Sequence, residues 1–206
     1  MRRIWSLLLA IILIIAFAAP AYAAEPRGSS LGDDIVVWIC VSKTGNNEYT
    51  SMNGHAWLVV ENNSFVDIAV GNRTIPAESV ATIGGFLTDA SAASGGAYLN
   101  RESGVTYSGA VALKVTIPSY NYYLISDAVD AAKYKFYYPS QESGDTDIEN
   151  AYTCVNFALE VWHAIGGATL NVTTSPKTAE ALWNLINNRS HYTAPFVSSK
   201  TVQRIW

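Results

Sequence analysis

The sequence predicts an α+β chain in which a small antiparallel sheet packs against helices. Three stretches carry that expectation. Ile35 to Val41 is continuously apolar and rich in β-branched residues, the pattern of a central strand buried on both faces. Ala110 to Ile117 reads as another strand, closed by Pro118. Thr153 to Ile165 reads as an amphipathic helix, ended by Gly166-Gly167. Strands gathered ahead of the main helix are the ordering of an α+β chain.

The remaining elements follow in chain order. Glu25 to Asp33 is a polar leader, and Thr44 to Gly54 a loop rich in Gly, Asn and Ser. His55 to Val60 and Ser64 to Val70 read as a hairpin joined through Asn62-Asn63. Gly71 to Gly109 is long and rich in small residues, with a short helix expected around Ala77 to Thr82, and is placed to cover a site. Ser119 is expected to cap a helix reaching about Tyr134, with Tyr122, Ile125, Val129 and Ala132 as its apolar stripe. Tyr138 to Asp147 is a polar loop. Ser175-Pro176 is expected to open a last helix, to about Asn187, and the tail through Phe196 and Trp206 to add a strand.

The first 23 residues have the three parts of a secretory signal peptide. Arg2 and Arg3 are the basic start, Ile4 to Phe17 the apolar run, and Ala21-Tyr22-Ala23 a small-x-small cleavage site. Residues 24–206 then form a single domain, secreted or held in the periplasm or cell envelope, with no membrane span after cleavage. Without Arg2 and Arg3, 11 of the 13 basic residues remain against 17 acidic ones, a formal net charge of −6. No basic stripe occurs, so nucleic acid is not an expected partner.

Cys40 and Cys154 are the two cysteines. In an oxidising compartment the plain expectation is a Cys40–Cys154 disulfide, and the chain is then a non-catalytic binding module. The position of Cys154 opens a different reading. From Cys154 the apolar residues recur at Phe157, Ala158, Val161, Trp162 and Ile165, so Cys154 begins a buried face at the helix start, with Thr153 as the N-cap. Free backbone N–H groups and the positive end of the helix dipole favour a thiolate there.

A thiolate nucleophile needs a base, and there are three histidines. His163, nine residues past Cys154, falls on the opposite helix face. His191 lies in the loop after the last helix with nothing to orient it. His55 begins a strand and shares a face with Trp57 and Val59.

Gly54-His55-Ala56-Trp57 at the start of a hairpin, followed much later by Tyr152-Thr153-Cys154-Val155-Asn156-Phe157 opening an amphipathic helix, resembles the circularly permuted branch of the NlpC-type papain-like superfamily. That branch includes lecithin:retinol acyltransferase-like proteins and permuted papain-like amidases. The likeness runs from His55 to about Ile165, and Thr153 stands where the family's motif has Asn. The resemblance implies a permuted papain-like core and a thiol-dependent, metal-independent hydrolase or acyltransferase. Cys154 is then the nucleophile and His55 the base. It also implies a polar residue on the next strand that orients the imidazole, which here is Asp67. A two-residue turn at Asn62-Asn63 turns Asp67 away from His55, whereas a loop of three or five residues sets it opposite.

The implied substrate is an amide in a cell-wall peptide, or a lipid ester or acyl chain, with Trp57, Tyr152 and the Gly71 to Gly109 stretch lining a groove. No pair of His, Cys or acidic residues has metal-ligand spacing, and there is no phosphate loop or nucleotide fingerprint, so no metal or cofactor is expected.

Overall fold

The computed structural model describes residues 34–43, 54–87, 95–132 and 151–205, which all fall in the compact unit Gly32–Trp206. The signal segment with its cleavage site, and the expected loop Tyr138 to Asp147, lie outside the described residues.

The strands are β1 (Asp34–Ser42), β2 (His55–Asn62), β3 (Ile68–Val70), β4 (Arg73–Ile75), β5 (Ser79–Leu87), β6 (Gly95–Leu99), β7 (Val111–Pro118), β8 (Tyr192–Thr193) and β9 (Gln203–Arg204). The helices are α1 (Tyr123–Ala132), α2 (Cys154–Ala164) and α3 (Ala179–Asn187). Seven strands form one antiparallel sheet in the order β8-β7-β1-β2-β5-β6-β9, while β3 and β4 form a small separate ladder. The fold is therefore α+β, with a mostly antiparallel sheet against helices. None of the described helices is long and apolar enough to cross a membrane.

Alternation along the central strands sorts the sheet into two faces. Ile35, Val37, Ile39 and Val41 of β1 and Ala56, Leu58 and Val60 of β2 join one core with Ile125 and Val129 of α1, Phe157, Val161 and Trp162 of α2, and Leu182 and Ile186 of α3. The other face buries a smaller group of Cys40, Trp57, Val59, Ala112 and Val197. The expectation that β1 is buried on both faces holds at Cys40 but not at Val36 and Trp38, which are half-buried. The C-terminal stretch crosses this second face, because β8 pairs with β7 on one edge and β9 with β6 on the other.

Four sequence expectations change. The hairpin between 55–60 and 64–70 does not form, and β2 pairs instead with β1 and β5. Asn62 is the cause. Its Oδ1 accepts from Ser64 Oγ at 2.6 Å and its Nδ2 donates to the carbonyls of Val66 at 2.8 Å and Pro76 at 2.9 Å. Those bonds fold the chain out of the ladder as an Asx-type turn does. The helix expected at Ala77 to Thr82 is the first half of β5, since a short apolar run fits either period and Val80-Ala81-Thr82-Ile83 finds a partner in β2. Ser119 opens a 3-10 turn (Ser119–Asn121) with no side-chain cap, and α1 follows at Tyr123. The last helix begins at Ala179, where Thr178 accepts from Ala181 N–H, rather than at Pro176.

Candidate active site

His55 is the first residue of β2, opposite Ser42 at the end of β1. Gly54 precedes it for a steric reason. Its φ is +81°, and a Cβ there meets the Ser42 carbonyl oxygen at 2.4 Å. His55 is 2 % exposed, and its ring stacks on Trp57 at 5.7 Å between centroids with 10° between planes.

Cys154 opens α2, which packs on β1, β2 and β5. Thr153 is its N-cap, as expected. Thr153 Oγ1 accepts from Val155 N–H at 3.3 Å, and Asn156 Oδ1 accepts from Thr153 N–H at 3.2 Å, closing a capping box. The helix ends at Gly166 with φ +83°. This frame brings Cys154 to His55. The two side chains are hydrogen bonded, and the backbone N–H groups of Ala56 and Val155 also reach the sulfur.

The carboxylate beside the imidazole is Glu102. Its Oε1 lies 3.0 Å from His55 Nε2, and the two side chains are 1 % and 3 % exposed. Glu102 Oε2 is buried with no hydrogen-bond partner among the described residues, so the carboxylate's charge is turned on the imidazole. Asn100 steers the chain to this point. It adopts φ +64°, its N–H donates to Thr82 O at 2.8 Å and its Oδ1 accepts from Thr82 N–H at 3.3 Å, just past the end of β6. The C-terminal stretch holds the same loop, since Gly104 N–H donates to Val197 O at 2.8 Å.

The structure places Asp67 elsewhere. It is exposed, and its Oδ1 accepts from Ala77 N–H at 2.8 Å, tying the chain ahead of β3 to the chain ahead of β5. Once Asn62 folds the chain out of the sheet, neither register considered for the hairpin applies.

The charges are coupled. Burial by itself lowers the pKa of His55, but the charge and hydrogen bond of Cys154 and then those of Glu102 outweigh it and raise it to about 9. Burial by itself raises the pKa of the Cys154 thiol, but His55 and the two backbone N–H groups bring it below its ordinary value. The arrangement favours a thiolate facing an imidazolium. Cys154 is half-buried.

No family model, curated protein or solved structure matches the chain.

The other expected groups resolve simply. Cys40 and Cys154 are both free, so the expected disulfide is absent. Cys40 is fully buried on the second face, where burial and then the charge of Glu102 push its pKa well up, the environment of an inert thiol. His163 is exposed and accepts from Leu170 N–H at 3.2 Å. His191 is exposed and bonded to the Arg189 carbonyl at 2.9 Å. Tyr152 is half-buried and donates to Glu160 Oε2 at 2.7 Å, along α2. Trp57 lies under Tyr107, with centroids 4.4 Å apart, and is 3 % exposed, so it supports the site from beneath.

Sequence reasoning missed Glu102. The signal for it was weak: one of three carboxylates, with Glu78 and Asp89, inside the long stretch expected to cover a site.

Proposed function

We propose that the protein is an exported cysteine-nucleophile hydrolase, with Cys154 as nucleophile, His55 as general base and acid, and Glu102 as the positioning carboxylate. The observation that carries this reading is the simultaneous hydrogen bonding of the buried His55 ring to Glu102 and to Cys154 at a helix N-terminus. A merely structural histidine is satisfied by one carboxylate. It has no need of a half-buried thiol whose pKa it lowers.

In the proposed reaction His55 holds the proton lost by Cys154. Nε2 is engaged by Glu102, and Nδ1 is assigned the exchange of the thiol proton. The thiolate attacks an acyl carbon, the C–S bond forms and the carbonyl π pair moves to oxygen. Collapse of that oxyanion expels the amine or alcohol, which takes the proton from His55. Water then attacks the thioester, giving its proton to His55, and the acid and free Cys154 are released. Glu102 holds the ring's orientation and stabilises its cationic form.

The order of the parts, a base histidine on a strand followed by the nucleophile helix, supports the permuted papain-like arrangement. By that resemblance the bond is an amide in a cell-wall peptide, with a lipid acyl group as the alternative substrate. Incubation of purified peptidoglycan fragments with the mature protein and with Cys154→Ala tests this. New amine termini in the first sample alone support the reading. Identical products rule out the cell-wall substrate, and parallel incubation with phospholipid vesicles then assays the acyl alternative.

A further inference from the structure

We propose that Tyr107 is the side-chain donor that holds the substrate's acyl oxygen over Cys154. This deepens the reading of Cys154 and His55 as a nucleophile and base, and rests on it. The sulfur's neighbours pose the problem. The backbone N–H groups of Ala56 and Val155 act on the thiolate itself, and that of Val155 also donates to Thr153 Oγ1. An oxyanion that forms one bond away from the sulfur needs a donor set further out.

Tyr107 stands there. Its ring is fixed between neighbours, 4.4 Å from Trp57 and 6.1 Å from His55 between centroids. Trp57 is itself stacked on His55, so the phenol and the imidazole share one rigid support. Tyr107 is half-buried, and its hydroxyl makes no hydrogen bond to any described residue. A half-buried phenol with an idle O–H beside a nucleophile is a donor awaiting an acceptor. Burial, followed by the charges of Glu102 and Cys154, raises its pKa well above the ordinary tyrosine value, while Arg101 pulls the other way. Cys154 is thus within electrostatic range of the hydroxyl. The hydroxyl keeps its proton, so it donates a hydrogen bond to the oxyanion and transfers no proton.

Two reagents separate this role from packing. Iodoacetamide alkylates a thiolate by displacing iodide, with no oxyanion. p-Nitrophenyl acetate acylates it through a tetrahedral oxyanion and releases p-nitrophenolate, leaving an S-acetyl group on Cys154. Both rates are measured on the parent and on Tyr107→Phe, which keeps the ring on Trp57, with the modified residue located by mass spectrometry. The expected result is unchanged alkylation of Cys154 and acylation slowed about 100-fold or more. Equal acylation rates in the two proteins overturn the proposal, as does a parallel loss of both reactions, which marks Tyr107 as packing only. If the parent's Cys154 reacts with neither reagent, it is the nucleophile reading that fails, and Tyr107 falls with it.

Discussion

Oε1 of Glu102 lies 3.0 Å from Nε2 of His55 across a sequence separation of 47 residues, with both side chains shut away from water. A buried carboxylate with a single partner is tolerated only where that partner carries charge, because an unpaired ion inside a protein is costly. The imidazolium state of His55 is what the pair favours, and the thiolate of Cys154 shares it.

Glu102→Gln therefore slows alkylation of Cys154 at neutral pH by about tenfold or more, through loss of charge and of ring orientation. Asp67→Asn leaves that rate unchanged and at most weakens the Ala77 contact, by about 1 kcal/mol of stability. Iodoacetamide rates and urea melts of the two variants check both halves. Equal rates for Glu102→Gln and the parent contradict the assignment.

The pH dependence has a defined sign. The raised pKa of His55 keeps the imidazolium present from below its ordinary 6.5 up to about 9, and the stability that this charge contributes is lost as pH rises through about 9. The lowered pKa of Cys154 forms the thiolate below the thiol's ordinary value, and that contribution is lost as pH falls through the lowered value. The ion pair occupies the window between. NMR titration of the His55 ring is expected to give a midpoint near 9. A midpoint at the ordinary value means the imidazole is not paired.

Thr153→Ala removes one half of the capping box at the start of α2. The expected cost is about 1 kcal/mol of stability, with the Cys154 thiol becoming less acidic because the first turn no longer holds its N–H groups in place. Thermal melts and the alkylation pH profile measure the two effects separately.

The parts of the site that were legible in the sequence are those set by local periodicity. Cys154 announces its helix by the apolar face that follows it, Thr153 by its capping position and His55 by alternation along β2. Glu102 obeys no such rule. It reaches His55 because Asn100 turns the chain left-handed at the end of β6 and the C-terminal stretch binds Gly104, and both effects depend on strands already paired. The Asn62-Asn63 hairpin misled for a related reason. The dipeptide has the composition of a tight turn, but the amide of Asn62 spends its hydrogen bonds on Ser64, Val66 and Pro76 and frees the edge of β2 for β5. Asp67, read as facing a partner strand, is left at the surface.

Gly54→Ala places a methyl 2.4 Å from the Ser42 carbonyl oxygen and 2.8 Å from that of Lys43, at a backbone φ of +81°. The start of β2 has to move, and His55 with it. A loss exceeding about 1 kcal/mol is expected, together with slower alkylation of Cys154. Parent-like melting and reactivity contradict the tight approach of Gly54 to β1.

The most direct measurement of the central claim is the acidity of the Cys154 thiol itself. Cys40→Ala, a substitution in the second-face cluster beside Trp57, leaves Cys154 as the single cysteine, so ultraviolet thiolate absorbance against pH reports that sulfur alone. The midpoint is expected clearly below the free-cysteine value of ~8.5, and it rises when His55→Ala is added. A midpoint at or above that value, unmoved by His55→Ala, contradicts a thiolate–imidazolium pair and leaves Cys154 an ordinary thiol at the start of a helix.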